Sequence, residues 1–288
     1  MTTPGMLRVL VGYDGSPSAV AAIEAAARLA PAASATIVHL WEPPFTTPAL
    51  RQRLAGRARG LEELGRLLEE EGRAEAERLA GNGVALARAA GWEAEAQVLR
   101  AFGGDGYQFA RTAQERGADL VVVGSRGLTG IKAVMGSVSE LVVHVSPVPV
   151  LVVPHPMTTA EWAAAASGPV VVGTDGSAGA ALAAETAARL LPGRERLLVA
   201  VEEPGGGPGP QAPDGAELIT VPRHGRPGSE RATAAALAGF AAERGAGVLA
   251  VGSRGNSMGR ELLLGSVARE VLHCAHRPVL VVPSDRTA

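Results

Sequence analysis

The chain has 288 residues, 47% of them hydrophobic, 19% charged and 3% aromatic, with a net charge of -2. That length suits one large domain or two ordinary ones, and the near-neutral charge excludes a global basic field for nucleic acid or an anionic membrane. Lys132 is the only lysine and Cys274 the only cysteine, which leaves no P-loop, intrachain disulfide or thiolate metal cage. Strand-like segments fall near 7–12, 35–40, 93–99, 119–123 and 149–153. The first and the last are Val-rich and apolar on both faces, as strands of a parallel sheet covered on both sides are. Helical patterns alternate with them near 17–30, 52–90, 106–116 and 137–145. Ser16 before Pro17 reads as an N-cap with proline at the first helical position, and Ser137 with Glu140 reads as a capping box. The apolar runs are far below the ~20 residues a membrane helix needs. With no leader evident and one cysteine, a soluble protein of the reducing cytoplasm is expected.

The chain repeats itself. VLVGYDGS at 9–16 returns as VVVGTDGS at 170–177, VGSRG at 123–127 returns at 251–255, and PVLVVP at 149–154 returns at 278–283. Three blocks in one order make a tandem duplication. The offset falls from 161 to 128, so the second copy has lost 33 residues from its middle, and then rises to 129. We expect a first domain over 1–155, a linker over 156–167 and a second domain over 168–288. Ser177 and Ser229 read as helix caps of the second copy. The alternation of strand and helix predicts an α/β fold: two tandem open, parallel five-stranded sheets with helices on both faces and right-handed crossovers. The Arg/Glu-rich stretch 52–90, with Leu54, Leu61, Leu64, Leu68 and Leu79 near helical spacing, has no counterpart in copy two, where EEPGGGPGPQAPDG cannot form a helix. The second domain is expected to lack one covering helix.

In open α/β sheets ligands sit beyond the carboxyl ends of the strands, where strand order reverses. The repeated polar and glycine positions fall at such ends. Asp14 and Asp175 follow the first strand of each copy, Gly124-Ser-Arg-Gly127 and Gly252-Ser-Arg-Gly255 follow the fourth, and Gly136-Ser137 and Gly265-Ser266 open the next helix. Glycines let backbone N–H groups approach an anion, and a helix N-terminus adds partial positive charge. Ser137 or Ser266 would donate a hydroxyl to a phosphate, and the aspartate would hold a metal ion or a ribose hydroxyl.

These residues resemble the universal stress protein family, whose ATP-binding members carry G-x2-G-x9-G-[S/T] after the fourth strand and an Asp after the first. Copy two matches in full: Gly252, Gly255, nine residues, then Gly265-Ser266. Copy one has Gly124, Gly127, then eight residues before Gly136-Ser137. The resemblance implies a Rossmann-like, adenine-nucleotide hydrolase-like fold binding ATP with Mg2+. It also implies pairing of the two domains through their last strands, with a homodimer of chains possible. It carries nucleotide contacts onto Gly12, Tyr13, Asp14, Leu40, Val123, Gly124, Gly127, Gly136, Ser137 and Val138. In copy two the contacts are Gly173, Thr174, Asp175, Val201, Val251, Gly252, Gly255, Gly265, Ser266 and Val267.

Each residue also has a plainer reading. Ser137 and Ser266 can be helix caps alone, Asp14 and Asp175 Asx-turn residues, and the VGSRG loops tight turns. Arg126 and Arg254 either touch phosphate or project into solvent. His39 reads as a packed histidine, and His273, Cys274 and His276 as the end of an amphipathic helix rather than a metal site. No catalytic constellation stands out. The leading function is an ATP-binding, stress-response sensor or regulator without rapid catalysis. The alternatives are an adenylating or slowly ATP-hydrolysing enzyme of the same fold, or a scaffold with one decayed site.

Overall fold

Val-rich runs bounded by glycines and helix caps become the strands of a single sheet in the computed structural model, which describes residues 6–42, 52, 59–101, 103–125, 136–202, 217–223, 228–255 and 264–284. In copy one the strands are β1 (Leu7–Gly12), β2 (Ala33–Trp41), β3 (Glu93–Arg100), β4 (Leu120–Gly124) and β5 (Val150–Val153). The described helices there are α1 (Pro17–Leu29), α2 (Leu61–Ala89), α3 (Asp105–Glu115) and α4 (Ser137–Val145). A helix α5 (Thr159–Ser167) then leads into β6 (Val170–Gly173), α6 (Ala178–Leu190), β7 (Arg196–Val201), β8 (Leu218–Val221), α7 (Glu230–Glu243), β9 (Val248–Gly252), α8 (Ser266–Cys274) and β10 (Val279–Val282).

The strand order is β3-β2-β1-β4-β5-β10-β9-β6-β7-β8. Neighbours within each half are parallel, as β1 with β4 (Val11 opposite Val122) and β6 with β9 (Val172 opposite Ala250). β5 and β10 alone run antiparallel, with Leu151 opposite Leu280. Alternate residues of each strand feed two apolar layers. One layer gathers Val9, Val11, Ile37 and Val122 with α1 and continues through Val170, Val172 and Leu280 with α6. The other gathers Leu10, Val121, Phe109 and Val142 with Val171, Leu249 and Leu237. Small side chains let the helices sit close: α1 buries Ala22, Ala25 and Ala26 against the sheet.

The helix starts follow local chemistry. The Ser16 hydroxyl accepts from the Ala19 amide and Pro17 takes the first helical place, while Ser177 and Ser229 cap α6 and α7 in the same way. α2 differs from the 52–90 expectation. It begins at Leu61 because Gly60 is extended, and residues 53–58, Leu54 among them, lie outside the described residues. Its buried stripe is Leu68, Ala76, Ala80, Val84 and Ala87, whereas Leu61 is 89% exposed. Its outer face carries Arg66–Glu70 and Arg73–Glu77 ion pairs, each worth only about 0.3–0.5 kcal/mol. The shortened stretch 202–217 joins β7 to β8 in copy two; residues 203–216, on which the expected loop falls, lie outside the described residues.

The stretch read as a linker holds α5. Thr158 caps it, accepting from the Glu161 amide while Glu161 accepts from the Thr158 amide, a full capping box. α5 packs against the first copy: Arg28 of α1 stacks 4.7 Å above the Trp162 ring. The Arg194 guanidinium, from the turn before β7, donates to the carbonyls of Ala165, Ala166, Gly168 and Arg28.

Candidate functional site

Strand order reverses between β1 and β4 in copy one, and between β6 and β9 in copy two, so a crevice opens beyond the carboxyl ends of each pair. In copy one it is entered by Gly12, Tyr13 and Asp14 from β1 and by Gly124 and Ser125 from β4. The Tyr13 amide continues the sheet by donating to the Val38 carbonyl, 2.9 Å away. The chain then turns at Gly15, whose φ of +79° is a left-handed value suited to glycine, and the Asp14 carboxylate accepts from the Ser16 amide at 2.9 Å. Copy two repeats the turn, with Gly176 at φ +77° and Asp175 accepting from the Ser177 amide at 3.0 Å. The aspartates therefore do make Asx turns.

The far wall is the start of α4 or α8. The Gly136 amide donates to the Ser125 carbonyl at 2.9 Å, and the Gly265 amide donates to Ser253 at 2.7 Å, closing each glycine loop. Gly136 and Gly265 are the N-caps, so Ser137 and Ser266 are first helical residues rather than caps, and no side chain caps either helix. This corrects the capping box expected at Ser137–Glu140. A glycine cap leaves the N–H groups of residues 137–139 and 266–268 without a helical acceptor, facing the crevice with the positive end of the helix dipole.

The glycines do more than one job. A Cβ on Gly124 would stand 2.5 Å from the Ser18 hydroxyl and 2.7 Å from the Ser18 carbonyl oxygen, and one on Gly252 2.7 Å from the Gly179 carbonyl oxygen. These two therefore admit the first turn of α1 or α6 against the strand end. A Cβ on Gly255 would meet the Asp175 carboxylate at 2.4 Å, so that loop lies directly on the aspartate. Gly12 and Gly173 make room for Phe109 and Leu237.

The two crevices are unequal. In copy one α2 roofs the β1 turn: Leu79 lies over Gly15, and Gly83 lets Tyr13 and Ile37 pack against the helix. Tyr13 is 6% exposed; burial, and then the nearby Asp14 charge, push its phenol pKa up. His39 stands with Nδ1 2.8 Å from the Tyr13 carbonyl, a packed hydrogen-bonded histidine. In copy two Thr174 replaces the tyrosine, its hydroxyl accepting from the Gly176 amide, and Asp175 and Gly176 are exposed. There α7 starts at Glu230, whose carboxylate lies 3.4 Å from the Ser266 hydroxyl.

Every sequence-selected position that is described lies at these strand and helix ends. Leu40 is the penultimate residue of β2 and Val201 the last of β7, Val123 and Val251 precede the β4 and β9 glycines, and Val138 and Val267 are second residues of α4 and α8. Arg126, Gly127 and Lys132 lie outside the described residues, and of Ser137 only the backbone is described. His144 and His273 each turn Nδ1 to the carbonyl four residues back, at 2.7 Å, within their own helices. Sequence reasoning missed Glu230 and Ser139. The Ser229 cap was a signal for the first; nothing in the sequence marked the second, whose hydroxyl donates to the Gly124 carbonyl at 2.8 Å.

An open, doubly wound sheet with a glycine-lined crevice at each order reversal defines a Rossmann-like α/β protein. The model of the universal stress protein family matches residues 6–154 and 211–283, and the chain belongs to that family. It is 33% identical over 150 residues to universal stress protein YxiE of Bacillus subtilis (strain 168), spanning 51% of this chain and 97% of that one. Among solved structures it resembles a universal stress protein from Archaeoglobus fulgidus DSM 4304, with a TM-score of 0.64, 20% identity, and 96% of this chain and 98% of that one covered. A protein of unknown function from Pseudomonas aeruginosa PAO1 follows, with a TM-score of 0.55, 15% identity and 98% and 94% coverage. At these identities both structures speak to the fold. Among the described residues no helix is long and apolar enough to cross a membrane.

Proposed function

We propose that the chain is an ATP-binding stress-response protein, a nucleotide-dependent sensor or regulator without rapid catalysis. It would comprise domains 1–155 and 168–288 joined by residues 156–167 and paired through β5 and β10. The observation that carries this reading is the glycine-capped start of α4 and of α8, facing the strand-order reversal. Three first-turn N–H groups, a following serine and a closed glycine loop form a cradle for phosphate there. The contacts are those the family pattern assigns, from Gly12, Tyr13 and Asp14 to Ser137, and from Gly173, Thr174 and Asp175 to Ser266. Leu40 and Val201 lie on the base side. Asp14 and Asp175 suit Mg2+ accompanying the triphosphate, because a bare carboxylate would repel it. Steady turnover is expected far below one per second.

Protein denatured after purification, or after soaking in Mg-ATP and desalting, is expected to release adenine nucleotide detectable by mass spectrometry. If neither sample releases any, the proposal fails, and turnover of several per second would move the reading to the enzyme of the same fold.

A second reading, in which the copy-two site has weakened, is favoured by Glu230. At 3.4 Å its carboxylate is too far from the Ser266 hydroxyl for a good O–H···O bond, so it brings charge to the phosphate cradle rather than support. Glu230→Gln is expected to tighten Mg-ATP binding to this half by about 3–10-fold, with a smaller gain at high salt. Calorimetric titration at two ionic strengths measures this; an unchanged affinity at low salt removes Glu230 from the site.

A further inference from the structure

We propose that Ser139 is a positioning residue of the first nucleotide site, tying the end of β4 to the first turn of α4 through its hydroxyl. The inference rests on the nucleotide-binding reading above and concerns how that site is held.

The Gly124–Ser125 peptide is the first step of the glycine loop. Its N–H donates to the Val153 carbonyl at 2.8 Å, and its C=O accepts from the Ser139 hydroxyl at 2.8 Å. Both polar groups of that peptide are thus committed, one to the neighbouring strand and one to the helix that forms the other wall. The Gly136 amide adds a second tie, to the Ser125 carbonyl at 2.9 Å. A carbonyl oxygen at this place is an acceptor beside a cradle meant for an anion. Holding it toward α4 keeps its negative end out of the phosphate space and fixes the distance from β4 to the helix N–H groups. Without the hydroxyl the N–H bond to β5 is, among the described residues, the remaining tie of that peptide, and the rigid peptide plane can tilt only as a whole about it.

Copy two supplies the contrast. The residue matching Ser139 is Ala268, 3% exposed, so the Gly252 carbonyl has no such donor from α8. There the loop is tied one residue later: the Ser284 amide donates to the Ser253 hydroxyl at 3.0 Å, and the two hydroxyls lie 3.2 Å apart. The half that carries the helix tether is the one with eight residues, rather than nine, between its second and third motif glycines.

Trp41, the last residue of β2, gives a reading confined to this site. Of the three tryptophans, Trp92 precedes β3 at the opposite sheet end and Trp162 lies on α5. The full-length chain is titrated with Mg-ATP and, separately, with adenosine, following Trp41 emission beside a urea-unfolding midpoint. Ser139→Ala is expected to weaken Mg-ATP about tenfold while adenosine changes less than about twofold, and Ser139→Thr is expected to restore Mg-ATP binding. Equal loss of both ligands, or loss of neither, overturns the positioning role, since a merely structural serine would not split them. If Ser139→Ala does not fold, Ser139→Cys carries the same comparison with a weaker donor. Wild-type protein that binds neither ligand overturns the nucleotide reading itself and this inference with it. Wild type that binds both, with a mutant of unchanged ATP-to-adenosine ratio, overturns the inference alone.

Discussion

Gly124→Ala is expected to cost about 1–3 kcal/mol of stability as well as weakening nucleotide binding, because the new methyl has no room on the side facing α1. The added Cβ would lie 2.5 Å from the Ser18 hydroxyl, 2.7 Å from the Ser18 carbonyl oxygen and 2.8 Å from the carbonyl carbon. A hydroxyl can rotate away; the backbone of a helix's first turn cannot, so α1 or β4 must shift. Gly252→Ala meets the same obstacle at the Gly179 carbonyl, 2.7 Å away. Gly255 provides the control. Among the described residues its Cβ would meet only the Asp175 carboxylate, at 2.4 Å, which is the end of a side chain. Gly255→Ala should therefore cost less, and Asp175→Ala in the same chain should recover part of that cost, a coupling of about 1 kcal/mol in a double-mutant cycle. Urea midpoints beside Mg-ATP titrations separate the two effects. If Gly124→Ala loses binding at unchanged stability, the glycine serves phosphate approach alone and the packing argument is wrong.

That result bears on what a glycine motif means. In the sequence, Gly124 and Gly252 read as glycines that let a backbone approach phosphate. The structure points their open side at α1 and α6, and leaves the approach to the loop that follows and to the starts of α4 and α8. The spacing was legible because the loop must return to a helix start. The direction of each Cα–H was not, because it depends on a helix distant in the chain, 106 residues away for Gly124 and Ser18 and 73 for Gly252 and Gly179.

Other elements divide along the same line. The Val runs near 7–12 and 149–153 were readable as strands because a sheet covered on both faces needs apolar residues at every position. Ser16–Pro17 was readable as a helix start because cap and proline act locally. The helix expected over 52–90 is interrupted at Gly60: Gln52 is helical and α2 restarts at Leu61, because an Arg/Glu-rich stretch keeps helical propensity across Gly60 while the backbone is extended there. Ser137 was read one place early because Gly136, which offers no side chain, takes the N-cap. Helix α5 was legible but overlooked: Thr158 and Glu161 stand three apart before an alanine run, the pattern of a capping box. Among the described residues copy two has no counterpart of α2, in keeping with the 33 residues missing from its middle, whereas the Glu230 carboxylate beside Ser266 is a tertiary meeting that no local pattern announces.

Arg194→Met is expected to destabilise the chain by about 2–3 kcal/mol and to free α5 from the first copy. Nη1 donates to the Gly168 carbonyl at 2.9 Å; Nη2 reaches those of Ala165, Ala166 and Arg28 at 2.8, 3.0 and 3.0 Å. Two hydrogens on Nη2 serve three acceptors, so at least one bond is shared. The acceptors are the last carbonyls of α5 and one near the end of α1, groups with no partner inside their own helices and on the negative side of both helix dipoles. Burial lowers the arginine pKa from its ordinary value, yet the guanidinium stays charged throughout the working range. Methionine keeps the stem and removes every donor, leaving the carbonyls to water at a partly buried junction. Because such hydrogen bonds are worth about 1.5–3 kcal/mol when charged, and less when shared or exposed, the total stays near that of one good bond. Lysine should recover under half of the loss, since one ammonium cannot match a fork set against two helix ends. Trp162 reports the outcome directly: its ring lies under Arg28, one residue before the end of α1, and undocking of α5 should raise its exposure and red-shift its emission. Amide exchange should quicken along α5 and at the end of α1 while β1, β4 and β9 keep their protection. An unchanged midpoint with slow exchange in α5 would show that apolar packing of Trp162 holds the junction without the arginine.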